Sequence, residues 1–72
     1  MKTELNKITI LKSLEIGQLD METSAKDIQD VLRFEFGIKA SLNVIGGYLT
    51  TLINENKISF ENVYGEKYFY IK

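Results

Sequence analysis

The hydrophobic positions fall into three stretches with helical spacing and one that alternates. From about Thr3 to Ile16, Leu5, Ile8, Leu11 and Leu14 recur every third residue, with Ile10 close to the same side. At about 100° per residue this draws a broad, slightly drifting apolar stripe. Thr3 is placed to cap this first helix and Gly17 to end it in the left-handed region. Leu19-Asp20-Met21-Glu22-Thr23 is too short for a helix and reads as an extended connection or a short strand. It leads to a cap at Thr23 or Ser24, and Ser24 with Asp27 three residues on resembles an acidic variant of the capping box. A second helix follows from about Ser24 to Phe36. Its apolar side carries Ile28, Val31, Leu32 and Phe36, with Lys26, Asp27, Gln29, Asp30 and Arg33 opposite. The spacings Lys26–Asp30 and Asp30–Arg33 suit ion pairs. Gly37 stops the helix.

After the turn Gly37-Ile38-Lys39-Ala40, Ser41 caps a third helix with the cleanest stripe in the chain: Leu42, Ile45, Tyr48, Leu49, Leu52 and Ile53. Asn56 is its left-handed terminator, because asparagine tolerates that conformation best after glycine. Then the period changes. Ile58-Ser59-Phe60-Glu61 alternates, and Lys67-Tyr68-Phe69-Tyr70-Ile71-Lys72 is rich in aromatic and branched residues, with Gly65 between the two runs. The pattern is a β-hairpin. On its second strand Phe69 and Ile71 share one face, and Tyr68, Tyr70 and Lys72 share the other.

Each helix offers one apolar stripe and the hairpin one apolar face, so all four must share a single core. Seventy-two residues allow one domain, spanning 1–72, of α+β class. Burial alone leaves a domain of this size marginally stable, so the aromatic hairpin is expected to be needed core, with Phe69 and Ile71 inside.

Composition narrows the chemistry. The chain has no Cys and no His, which removes thiol nucleophiles, the usual zinc ligands and imidazole acid–base catalysis. Its acidic residues form no catalytic pair, and no glycine loop is built to cradle phosphate. The expectation is therefore a protein that is not an enzyme and takes neither metal nor cofactor. Nine Lys and Arg against ten Asp and Glu give a formal charge of −1. No run approaches the roughly 20 apolar residues that span a bilayer. The first ten residues, MKTELNKITI, do not match the apolar region of a signal peptide. A soluble, cytoplasmic protein without membrane contact is expected.

Helix, short extended piece, helix, turn, helix and terminal hairpin together resemble a winged helix–turn–helix domain. The stretch Leu52-Ile53-Asn54-Glu55-Asn56-Lys57-Ile58 resembles the end of the third helix and start of the wing in such domains, with Asn56 where glycine is usual. Gly65 followed by Lys67-Tyr68-Phe69-Tyr70-Ile71 is similar to a glycine-tipped wing and its tyrosine-rich strand. The likeness covers nearly the whole chain, in pattern only. It implies three helices plus a C-terminal β-hairpin wing, and a third helix that enters the DNA major groove of a transcriptional regulator.

The outward side of the third helix carries Asn43, Val44, Gly47, Thr50, Thr51 and Asn54, none charged. Asn pairs with adenine, and Thr bonds a base edge or packs its methyl on thymine. The adjacent Gly46 and Gly47 cost roughly 2 kcal/mol of helix propensity relative to alanine. They serve either close approach to a partner or relief of crowding against the second helix or a loop, with the Thr and Asn side chains then simply solvated. The candidate DNA-binding set is Lys26, Lys39, Ser41, Asn43, Gly47, Thr50, Thr51, Lys57, Tyr64 and Lys67, with Arg33 a further cation. The lysines hold phosphates in this picture, though scattered solubilising charges fit the same pattern. With so few cations, useful affinity calls for a homodimer on two half-sites or for a protein partner. Tyr64 lies on a sugar–phosphate backbone or anchors a protein interface. Tyr68 and Tyr70 fold back onto the first helix or form an exposed aromatic edge that pairs with a second copy. Two other uses stand beside double-stranded DNA. One is a winged helix that inhibits or adapts a nucleic-acid machine through protein contact and binds no DNA itself, which the acidic balance favours. The other is an accessory fold with no binding surface beyond its own dimer.

Overall fold

Five elements follow in order in the computed structural model, which describes residues 4–18 and 23–72. They are α1 (Lys7–Gln18), α2 (Ala25–Phe36), α3 (Leu42–Asn54), β1 (Ile58–Val63) and β2 (Glu66–Ile71). The domain is α+β, three helices ending in an antiparallel hairpin, consistent with a winged-helix layout. Thr3, with its expected cap, and residues 19–22 of the expected extended connection lie outside the described residues.

Capping chemistry sets most of the helix ends. The Ser24–Asp27 box closes in both directions: Asp27 N–H donates to Ser24 Oγ at 3.3 Å, and Ser24 N–H donates to Asp27 Oδ2 at 3.0 Å. Gly37 ends α2 at φ 66°. Ser41 Oγ accepts from Val44 N–H at 3.2 Å and starts α3. Asn56, at φ 62°, ends it in a Schellman arrangement. There Lys57 N–H donates to the Leu52 carbonyl and Asn56 N–H to that of Ile53, each at 3.0 Å.

The first helix departs from expectation at both ends. Asn6 Oδ1 accepts from Thr9 N–H at 2.9 Å, so α1 begins at Lys7 and not beside Thr3. Gly17 does not terminate α1 but lies inside it. A Cβ there would stand 2.8 Å from Thr23 Oγ1 and 2.9 Å from Thr23 Cγ2, so the position serves close approach. The buried side of α1 is Ile10 and Leu14 flanked by Thr9 and Ser13, while Ile8 is 63% exposed and Leu5 and Leu11 are half-buried. Three-residue spacing drifts about 60° per step against the helix period, so that stripe cannot stay on one packed face. Ile10 and Leu14, four apart, do. Ser13 Oγ donates to the Thr9 carbonyl at 2.9 Å, which satisfies a hydroxyl sealed in the interior.

Ile10, Leu14, Ile28, Leu32, Ile45, Leu49, Leu52, Ile58 and Phe69 form the buried core, drawn from all three helices and both strands. Leu42, expected in the stripe of α3, is 48% exposed because it stands on the helix's first turn, short of Ile45. The strands pair with Ile58 opposite Ile71 and Phe60 opposite Phe69, so Phe69 and Ile71 share the inward face as expected. The Phe60 and Phe69 ring centroids lie 6.0 Å apart. Thr23 forms an isolated bridge to Phe69, whose N–H donates to the Thr23 carbonyl at 2.7 Å. Among the described residues Lys26–Asp30 and Asp30–Arg33 do not close as ion pairs; Lys7–Glu55 does, at 2.7 Å. No described helix is long and apolar enough to cross a membrane.

Denaturant unfolding should separate the helical glycines. Gly17→Ala is expected to destabilise by about 1 kcal/mol net, since overpacking against Thr23 outweighs the helix-propensity gain. Gly46→Ala and Gly47→Ala, which meet open space, should each stabilise by about 1 kcal/mol. Phe69→Ala should cost about 3–5 kcal/mol.

Candidate nucleic-acid interface

Burial of Ile45, Leu49 and Leu52 turns the opposite side of α3 to solvent. Asn43, Gly47, Thr50 and Asn54 fall within roughly 60° of one another on that side, with Val44 and Thr51 along its flank. All six are exposed, and α3 carries no charged residue from end to end. Thr50 Oγ1 donates to the Gly46 carbonyl at 2.9 Å and Thr51 Oγ1 to the Gly47 carbonyl at 3.0 Å. Each hydroxyl proton is thus committed to its own helix. The threonines offer a partner their methyl groups and oxygen lone pairs, a narrower choice than the sequence implies.

Among the described residues no atom outside the local helix backbone comes within 4 Å of an ideal Cβ at Gly46 or Gly47. Relief of crowding against the second helix is therefore not what these glycines do. The folded chain would accept a side chain at either position, and their absence leaves a shallow notch in the middle of the exposed face.

The ten candidate residues do not form one cluster. Asn43, Gly47, Thr50 and Thr51 sit on α3, with Ser41 at its start as the cap that accepts from Val44 N–H. Lys39 and Lys57 are exposed just before and just after the helix. Lys26 stands on the first turn of α2. Tyr64 and Lys67 belong to the far end of the hairpin, some four to six residues, or roughly 13–20 Å, along the strands from Ile58. Lys67 Nζ lies 5.1 Å from the centroid of the Phe60 ring. Tyr64 and Gly65 form the two-residue turn, at φ 51° and 82°, and the Tyr64 side chain is fully exposed. Asn62 Oδ1 accepts from Gly65 N–H at 3.1 Å and steadies the tip. Tyr70 is exposed and Tyr68 half-buried.

Glu55, the one acid beside the end of α3, is joined to Lys7 on α1. The hydrogen bond from the Lys7 ammonium holds its carboxyl below the ordinary carboxylate range, and the charges of Lys7 and Lys57 add to the effect. What the pair adds to stability is present above that ordinary range and lost as pH falls through the lowered value. The pair is exposed, so the amount is small. Its larger effect is to neutralise an anion at the edge of the α3 face.

Two features escape the sequence. Phe34 is 78% exposed with the Arg33 guanidinium 5.8 Å from its ring centroid. Its place outside the stripe of Leu32 and Phe36 is the signal that marks it. A cleft of about 350 Å³ beside the α2–α3 turn is lined by Gln29, Asp30, Arg33, Ile38, Lys39 and Ala40. Gln29 Nε2 donates to the Ala40 carbonyl there at 2.8 Å and fixes α2 to the start of α3, a long-range contact that local pattern does not encode. Among the described residues no group of three or more acidic side chains is placed to hold a metal ion. Comparison with known protein families finds no match, and comparison with curated proteins finds no relative.

Tyr64 occupies a left-handed turn position that asparagine fills more readily, and no burial rewards it. Tyr64→Asn is therefore expected to raise stability by about 1 kcal/mol, measured as a shift in the urea midpoint at unchanged slope.

Proposed function

We propose that this chain is a small DNA-binding protein, a transcriptional regulator of the winged-helix kind that inserts α3 into the major groove. The observation that carries the proposal is the glycine notch. Gly46 and Gly47 cost roughly 2 kcal/mol of helix propensity, and the chain's own packing gives no return for it. A partner that must come close to the α3 backbone supplies the reason. An uncharged face with Asn43 at its leading end fits a groove floor of base edges, since recognition helices contact bases chiefly through their N-terminal residues. Lys39 and Lys57 bracket that face as phosphate ligands, with Lys67 and Tyr64 of the hairpin and Lys26 of α2 as outer contacts. So few cations call for two copies on two half-sites. On this reading the protein works in the cytoplasm.

A second reading rests on a separate observation. Phe34, Leu42 and Val44 expose apolar surface on α2 and the start of α3. That favours a protein partner for a winged helix that binds no DNA.

Fluorescence anisotropy with a duplex pool at low salt decides between them. Binding at tens of micromolar or tighter is expected, and its absence would overturn the DNA-binding reading in favour of a protein contact. Lys39→Ala should weaken binding on every sequence and reduce the salt slope by about 1, whereas Asn43→Ala should alter sequence preference. The Gly46→Ala, Gly47→Ala double variant should bind more weakly while unfolding at higher denaturant.

A further inference from the structure

The side chains exposed on α3 restrict which base pairs it can read. Guanine is read chiefly by Arg or Lys reaching O6 and N7 together. The helix has neither residue anywhere in Leu42–Asn54. What it presents is Asn43, whose amide matches the N6 and N7 of adenine, and the methyl groups of Val44, Thr50 and Thr51. The threonine hydroxyl protons are held by the Gly46 and Gly47 carbonyls, which leaves methyl contact as the principal use of those side chains. The apolar feature of the major groove is the C5-methyl of thymine. We infer that α3 selects A·T base pairs, with Asn43 reading adenine and Val44, Thr50 and Thr51 packing on thymine methyls.

The geometry supports this choice in two further ways. Asn, Val and Thr are short, so they touch base edges only if the helix axis sits deep in the groove. The open Cβ positions of Gly46 and Gly47 permit that seating. Charge is also complementary: a neutral face bracketed by Lys39 and Lys57 matches a neutral groove floor between two rows of phosphate. From Asn43 to Asn54 the face runs about 16 Å, enough for roughly four or five base pairs at 3.4 Å each.

This inference rests on the DNA-binding proposal, and the experiment distinguishes failure of one from failure of the other. Anisotropy is measured on A·T-rich and G·C-rich duplexes, and on the A·T-rich duplex with thymine replaced by uracil, which removes only the C5-methyl. Preference for the A·T-rich duplex is expected, with about fourfold weaker binding for each contacted methyl removed. Asn43→Ala should lose about tenfold on the A·T-rich duplex and little on the G·C-rich one. In the Thr50→Ser, Thr51→Ser double variant, which keeps both hydroxyls, the uracil penalty should shrink to the part that Val44 supplies. Equal binding to both compositions, or indifference to uracil, overturns the A·T inference and leaves DNA binding standing. Failure to bind any duplex overturns both. The uracil comparison uses the unaltered protein, so a variant that folds poorly does not blur the outcome.

Discussion

A hydrogen bond from the Phe69 N–H to the Thr23 carbonyl joins the hairpin to the chain between α1 and α2. Around it the interior closes. The Thr23 side chain fills the space over Gly17, and Phe69 contributes its ring to a core that the helices alone leave open on one side. A two-stranded hairpin is marginal in isolation and needs a helix to pack on. Three short helices without a disulfide are equally in need of extra apolar surface. Each part supplies what the other lacks. The fold therefore depends on the register that sets Phe69 opposite Phe60 and beneath Thr23.

With the interior closed in this way, one side of α3 is left exposed among the described residues. Its composition is unusual for an exposed helix, which ordinarily carries Lys and Glu for solubility and local pairing. Here it carries amides, threonines, a valine and two glycines. The charges sit at the ends, and the nearest acid, Glu55, is neutralised by Lys7. The left-handed Tyr64 at the hairpin tip is a second position where local stability is forgone without a contact inside the chain.

Features specified by local chemistry were legible in the sequence. The Ser24–Asp27 box, the Ser41 cap, the left-handed Gly37 and Asn56 and the inward face of β2 all follow from residues within a few positions of one another. The exposed face of α3 was legible too, because its apolar stripe is strict. What was not legible depends on distant partners. Gly17 looks like a terminator until Thr23 is found against it. The buried side of α1 is hidden from the sequence because Thr9 and Ser13 are polar by composition yet satisfy their hydroxyls on the Glu4 and Thr9 carbonyls and go inside. The roles of Gly46 and Gly47 required the surrounding space itself, which no spacing rule describes.

The division of α3 into two non-overlapping sets of positions has a practical result. Ile45, Leu49 and Leu52 hold the interior, while 43, 47, 50 and 54 touch none of it by side-chain direction. Randomising the outer set would change the exposed surface without disturbing the framework beneath. Replacing either glycine would even add a margin of stability on which other, costlier residues could be tried. The domain is thus suited to serve as a scaffold for combinatorial libraries built on one helix face.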